Sequence, residues 1–273
     1  MNLKEALKGK IQEKDEQYIY RAFEIIGDIA IIQVPKEIEQ HKMLMAETLC
    51  GLHKNIKVVL RKVDDVSGKY RVGKYETLIG DRTDTIYSEN SIRLKADPTR
   101  AYFSSKLGTE RERITAQVKD GENILCMFAG IGPFPINVAK VRNVTISAVE
   151  INPAATALFA EGMKLNRLKG KIEIFTGDIK DIVPNFAEKF DRILMPAPKD
   201  APEFLDLALD KVKKGGIINY YSFVPAEDYD DLEGTVKKQC ADLGRKVEII
   251  AKRRCGNIGV CQYRGAIDIK VLD

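Results

Sequence analysis

Asn123-Ile124-Leu125-Cys126-Met127-Phe128-Ala129-Gly130-Ile131-Gly132-Pro133-Phe134 is the stretch that decides the fold. An apolar run of strand length ends in a tight Gly-x-Gly turn. An apolar-periodic segment, Pro133 to Val141, follows at once. The pattern predicts a strand, a glycine loop and a helix N-terminus in direct succession. Gly130 and Gly132 carry no β-carbon, so a ligand can lie against the backbone there, facing the loop amides and the helix dipole. Taken alone, such a turn can also be mere strand-to-helix geometry.

The next segments add chemistry. Val144 to Val149 reads as a second strand and ends in Glu150, about twenty residues past the glycines, where nucleoside-binding α/β folds place a carboxylate on the ribose hydroxyls. A third strand, Ile172 to Phe175, ends in Gly177-Asp178, and a carboxylate there can accept from an adenine amino group. Glycine loop, acid after strand two and acid after strand three describe a dinucleotide or an S-adenosylmethionine (SAM) site. Pro135 stands where the dinucleotide fingerprint has its third glycine, which favours SAM over NAD. Two incidental surface acids on a doubly wound domain are the structural alternative.

Composition bounds the answer. The chain has 273 residues, 44% hydrophobic and 31% charged, with a net charge of +4, which fits a soluble globular protein of one large or two modest domains. No run approaches transmembrane length and the N-terminus has no signal-peptide core, so a cytoplasmic protein with no membrane partner is expected. Five cysteines without zinc spacing read as reduced thiols, although Cys255 and Cys261 are near enough in sequence to pair. With only His41 and His53 present, histidine-based catalysis or a multi-histidine metal site is not expected. Local basic surface remains compatible with the mild charge, Arg253, Arg254 and Arg264 being candidates for phosphate contact.

Residues 1–98 read as a small α+β domain. Glu24 to Val34 holds a β-branched run with a Gly27-Asp28 turn, Ile38 to Leu52 has helical spacing, and Val58 to Leu60 and Tyr75 to Ile79 are strands. Arg71 lies in the turn between those strands, and Glu89-Asn90 turns a hairpin. Met43 and Met45 read as core filler, and His53 as a helix C-terminal cap. Asp97-Pro98 marks the boundary. Residues 99–273 then alternate strands and helices, predicting a Rossmann-like α/β domain: a mostly parallel seven-stranded sheet with helices on both faces. Its fourth strand, Arg192 to Met195, is closed by Pro196-Ala197-Pro198, which forces a rigid loop at the sheet edge where ligands sit.

Ala101-Tyr102-Phe103-Ser104-Ser105-Lys106-Leu107-Gly108-Thr109-Glu110-Arg111, followed by Met127 to Phe134, closely resembles the archaeal and eukaryotic type of tRNA (guanine-37-N1)-methyltransferase. So do Ile25 to Ile32, Val59 to Lys62 and Tyr70-Arg71. The resemblance runs from about residue 17 to the end. It implies a class I SAM-dependent methyltransferase domain behind a small RNA-contacting domain, acting on tRNA at its anticodon region, with a monomer expected. It implies Glu110 as general base and Arg71 as the partner of guanine O6. Tyr102, Pro196 and Pro198 would line the guanine. Phe128, Ala129, Gly130, Gly132, Glu150, Asp178 and Ile179 would hold SAM, and no metal is implied. The related wyosine-pathway aminocarboxypropyltransferases share layout and cofactor, but lack the Pro-Phe of the glycine loop and the proline-rich motif after strand four.

Three departures from the family are visible. Longer members carry a further N-terminal domain that grips the tRNA body, and this chain is too short to contain it. Cys126 stands where Asp is frequent, and Pro196-Ala197-Pro198 where Asn-Leu-Pro is common. The chemistry constrains the rest. A sulfonium methyl needs no metal, but guanine N1 is a poor nucleophile until its proton leaves, so a base near N1 and a cation near O6 are required. From spacing alone Glu110-Arg111-Glu112-Arg113 is a solvated helix face and Arg71 a surface arginine; the resemblance reverses both. The leading expectation is methylation of guanosine 37 at N1. The alternatives are a wyosine-pathway transferase on the same fold, and a tRNA- or SAM-binding protein without catalysis.

Overall fold

The computed structural model describes residues 2–20, 22–196, 201–259 and 261–273, with the side chains of all but 65–67 and 257–259. The described chain forms two compact units, Met1–Ser105 and Lys106–Asp273.

The first unit comprises α1 (Leu3–Leu7), β1 (Glu24–Ile26), β2 (Ile29–Gln33), α2 (Lys42–Leu52), β3 (Val58–Ser67), β4 (Val72–Ile79), β5 (Thr85–Glu89) and β6 (Ile92–Ala96). β1 to β4 form one mixed sheet in sequence order; β2 and β3 run parallel because α2 carries the chain back between them. Leu3 and Leu7 of α1, Met45, Ala46 and Leu49 of α2, and Ala30, Ile32 and Val59 of the sheet make its core. Met45 is core filler as expected, whereas Met43 is exposed. His53 caps α2, its N–H donating to the Leu49 carbonyl and its ring edge-on to Phe23. β5 and β6 pair as a hairpin, but the two turn residues are Asn90 and Ser91, both at positive φ, one position later than the sequence suggests.

The second unit contains α3 (Gly108–Gln117), β7 (Asn123–Met127), α4 (Pro133–Val141), β8 (Thr145–Glu150), α5 (Pro153–Lys164), β9 (Lys171–Thr176), α6 (Ile179–Ile182), β10 (Phe190–Met195), α7 (Leu205–Lys211), β11 (Val212–Pro225), α8 (Leu232–Asp242), β12 (Val247–Gly259) and β13 (Gln262–Val271). Among the described residues these strands form a seven-stranded sheet in the order β12-β13-β11-β10-β7-β8-β9. It is parallel except for β13, which runs against both its neighbours.

The chain steps from β7 to β8 in one direction and from β10 to β11 in the other. Right-handed crossovers therefore put their helices on opposite faces, and the reversal between β7 and β10 opens a crevice at the strands' carboxyl ends. β13 shows both faces at once. Ile267 and Ile269 pack with Leu205, Leu209 and Val236 of α7 and α8, while Asp268 between them receives hydrogen bonds from Arg113 and Gln117 of α3. Strand β11 begins at Val212 rather than Ile217, taking in Gly215-Gly216 where its register with β10 shifts. Cys255 and Cys261 are not bonded to each other; both are free thiols. No helix among the described residues is long and apolar enough to cross a membrane.

Candidate active site

The glycine loop follows β7 as the sequence predicts. Phe128, Gly130 and Gly132 all adopt positive φ, and Gly132 is the left-handed cap of α4. A β-carbon on Gly132 would lie 2.1 Å from the Phe159 ring, so this glycine is fixed by packing as well as by φ. Pro133 opens α4 at its first turn, where no intrahelical N–H is lost. Phe128 stands edge-on to Phe204, centroids 5.3 Å apart, and Lys180 lies over the other ring.

Glu150 closes the loop. Its Oε2 accepts from the Gly130 N–H at 2.8 Å and its Oε1 from the Asn152 N–H at 2.9 Å. Burial pushes its carboxyl above the usual range, and the backbone donors of Asn152, Gly130 and Ile151 pull the other way. A carboxylate offers about four lone-pair sites. With three backbone donors on it, Glu150 has one such site left, so it can take one ribose hydroxyl rather than two. Next to it, the Gly177 N–H donates to the Glu150 carbonyl at 2.9 Å, bringing the end of β9 to the end of β8. Asp178 caps α6, its Oδ1 accepting from the Lys180 N–H at 3.0 Å, which leaves Oδ2 for another donor. The Ile179 side chain is buried among Val149 and Val183, so only its first-turn N–H faces a ligand role. The residues assigned to SAM are therefore gathered around one loop, with acceptors that fit its ribose and amino groups. Cys126 lies one strand position before Met127, fully buried; burial holds its thiol neutral, so it offers no carboxylate-like acceptor.

Glu110 is buried, not part of a solvated face; Arg111 and Arg113 are also withdrawn from solvent, and only Glu112 is exposed. The Glu110 carboxylate accepts from Arg113 Nε at 2.9 Å and Nη2 at 2.6 Å, and from the Tyr221 hydroxyl at 2.8 Å. The Cys255 thiol lies near the same carboxylate; burial pushes that thiol up, and Glu110 adds to the shift. Arg113 continues to Asp268, Nη1 to Oδ2 at 2.5 Å and Nη2 to Oδ1 at 3.0 Å. Asp268 also takes Gln117 at 2.8 Å and Asn219 at 2.7 Å, and Asn219 in turn accepts from Arg192, which pairs with Glu122. Burial pushes Asp268 up, but Arg113, Gln117 and Asn219 more than reverse it and hold it below the usual carboxylate range. Tyr221 is pushed far above the usual phenol range by burial and by Glu110, so it stays a donor. Its ring contacts Phe134 of the glycine-loop helix, centroids 5.9 Å apart. One aromatic contact therefore separates the Glu110 network from the loop.

This network is what sequence reading missed. Asn219 inside Ile217-Ile218-Asn219-Tyr220-Tyr221, Asp268 inside Ala266-Ile267-Asp268-Ile269 and Arg192 inside β10 are polar residues within apolar strands, and that was the available signal. In the first unit Arg71 sits at positive φ in the β3–β4 turn, its N–H donating to the Gly68 carbonyl. Tyr102 is half exposed, near enough to Tyr75 to raise that phenol further after burial and Glu24. Pro196 is partly buried after β10; Pro198 lies outside the described residues. Arg253 and Arg254 are exposed, Arg254 stacking on Tyr263 at 4.5 Å, but Arg264 is buried over Phe223 and is not a surface contact.

Comparison with known proteins places the chain in a family. The TRM5/TYW2 methyltransferase domain family matches residues 85–250, and the TYW2 N-terminal domain family matches residues 3–83. The chain is 37% identical over 263 residues to the tRNA (guanine(37)-N(1))-methyltransferase Trm5b of Pyrococcus abyssi, covering 96% of this chain and 78% of that protein. The crystal structure of that Trm5b superposes with a TM-score of 0.86 at 36% identity, covering 96% of this chain and 79% of that one. A tRNA(Phe) (4-demethylwyosine(37)-C(7)) aminocarboxypropyltransferase of Pyrococcus horikoshii is 29% identical over 276 residues, covering 99% of this chain and 96% of that protein. In sequence over most of its length and in fold, the chain belongs to the TRM5/TYW2 methyltransferase family, whose cofactor is S-adenosylmethionine.

Proposed function

We propose that the chain transfers a methyl group from SAM to N1 of guanosine 37 in tRNA. The observation that carries this reading is the buried Glu110 carboxylate, fixed by Arg113 and Tyr221 one aromatic contact from the glycine loop. When bound, SAM supplies a methyl group already activated by its sulfonium. Glu110 accepts the N1 proton, leaving the electron pair on N1 to form the new N–CH3 bond. Arg71 is assigned the charge that develops on O6, and Tyr102 and the Pro196 loop the guanine ring. Glu150 and Asp178 orient the nucleoside part of the cofactor. In this reading residues 1–98 contact RNA and residues 99–273 carry the transfer, in a cytoplasmic monomer.

A second reading, aminocarboxypropyl transfer or methylation of a wyosine precursor, has support in the P. horikoshii relative and in the TYW2-type N-terminal match. Purified protein incubated with SAM and either unmodified tRNA or tRNA carrying a wyosine intermediate, followed by mass analysis of the nucleosides, separates them. 1-Methylguanosine is expected. An aminocarboxypropyl adduct, or activity on wyosine intermediates alone, establishes the second reading. Binding of both ligands without product establishes a non-catalytic protein.

A further inference from the structure

We propose that Asp268, acting through Arg113, sets the strength of Glu110 as a base. The inference rests on the reading of Glu110 as the proton acceptor. One guanidinium lies between two buried carboxylates and donates two hydrogen bonds to each. Asp268 is saturated: four donors, two from Arg113 and one each from Gln117 and Asn219, fill its lone pairs. It is 1% exposed and has no path to substrate. Glu110 is filled unevenly. Oε1 takes Arg113 Nη2 and the Tyr221 hydroxyl, while Oε2 takes Arg113 Nε. Among the described residues Oε2 takes no second nitrogen or oxygen donor, and the Cys255 thiol of β12 lies near the carboxylate. Among the described residues, the charged and titratable groups around Glu110 are Arg113 from its own helix, Tyr221 from β11, Cys255 from β12 and, through Arg113, Asp268 from β13.

An unshared guanidinium in this buried place would hold Glu110 as an anion and make it a poor proton acceptor. Asp268 draws half of that charge away. It stays ionised because its four donors leave a proton no favourable place. Arg113 can then anchor the base in one rotamer without quenching it. Asp268 is thus a positioning and tuning residue that never touches the substrate. During the step the N1 proton moves to Glu110, the carboxylate loses its charge, and Arg113 keeps a full counter-ion in Asp268. The charge left on guanine passes to the new N–CH3 bond as the methyl–sulfur bond breaks, its electron pair staying on sulfur.

The test is the pH dependence of the single-turnover rate at saturating SAM and unmodified tRNA. Asp268→Asn keeps the shape and frees the full Arg113 charge for Glu110. The plateau rate should fall by roughly tenfold, the scale of a hydrogen-bonded charge lost from a buried site, and the acid limb should move to lower pH. Tyr221→Phe removes a donor from Glu110, and the acid limb should move to higher pH. Opposite displacements are what a merely structural role cannot produce. In a Glu110→Gln background the Asp268→Asn effect on the rate should vanish. If both variants leave the limb in place, or move it the same way, or if the Asp268→Asn and Glu110→Gln losses multiply, the tuning role is overturned. If Glu110→Gln alone leaves the single-turnover rate unchanged, it is the reading of Glu110 as base that fails. Should Asp268→Asn not fold, judged by circular dichroism and SAM binding, Gln117→Leu takes its place: with one donor fewer, Asp268 draws harder on Arg113, so the acid limb should move to higher pH, and an unmoved limb overturns the tuning role.

Discussion

In each unit an arginine bridges two carboxylates, and the two clusters are built differently. Arg61 of β3 donates to Glu39 at 2.6 Å and Glu76 at 3.2 Å, with Lys42 joining Glu76; both acids keep wide access to water. Arg113 of α3 also bridges two acids, but Glu110 and Asp268 are buried and every contact is internal. In the first cluster water screens the charges and refills any contact that is lost. In the second, removing one partner strands another in a medium that cannot solvate it. A fold keeps such an arrangement at a cost, and the costly cluster is the one beside the glycine loop.

The sharpest break of this contrast is chemical. Glu110→Gln should slow the single-turnover step by about 10²–10⁴-fold, the usual scale for a general base, while calorimetric affinities for SAM and tRNA hold. An unchanged rate with lowered thermal stability would reduce the buried cluster to a structural one. Next comes Arg113→Ala, which should destabilise by about 3–5 kcal/mol in denaturant unfolding because it leaves two buried carboxylates unpaired. Arg61→Ala should cost clearly less, and equal losses would erase the distinction. Glu150→Ala should weaken SAM binding by about 1–3 kcal/mol in calorimetry. Without SAM, Glu150→Gln should melt no lower than the parent, because burial already disfavours the ionised form. The smallest effect is expected at Glu39→Gln, with a melting temperature indistinguishable from the parent.

Acid titration sharpens the comparison from another side. The folded-state value of Asp268 lies below its ordinary 3.8, so its stabilisation is complete above that pH and is lost as pH falls through the lower folded value. Asp268→Asn should flatten that limb of the stability curve. Glu39→Gln, removing a carboxylate that water already solvates, should leave it nearly as it was.

The sequence carried the fold well because the signals were local. The run from Asn123 to Phe134 has a strand, a left-handed turn and a proline-opened helix written in adjacent residues, and Glu150 follows at the spacing that the next strand requires. The gathering of Gly130, Glu150 and Asp178 around one loop was legible for the same reason. The Glu110 network was not, because its members come from α3, β7's approach, β10, β11, β12 and β13. Arg113 and Asp268 are 155 positions apart. Spacing along one helix makes Glu110 to Arg113 look like a solvated stripe, and only the packing of α3 against the sheet turns two of its arginines inward. Turn chemistry was read one residue early at Asn90-Ser91, since either register satisfies the alternation of the flanking strands.

The contact of Gly132 with Phe159 reaches beyond stability. No side chain can be accepted at 132 while an aromatic ring fills the space in front of it. A smaller residue at 159 would open that space and leave a hole beside the loop. Even a joint change of the two positions would leave a side chain at 132 strained by its φ of +78°, and each single step on the way passes through a damaged protein. Random variation would therefore find this corner of the molecule closed, and a laboratory library that varies loop and α5 separately would return the parent pair.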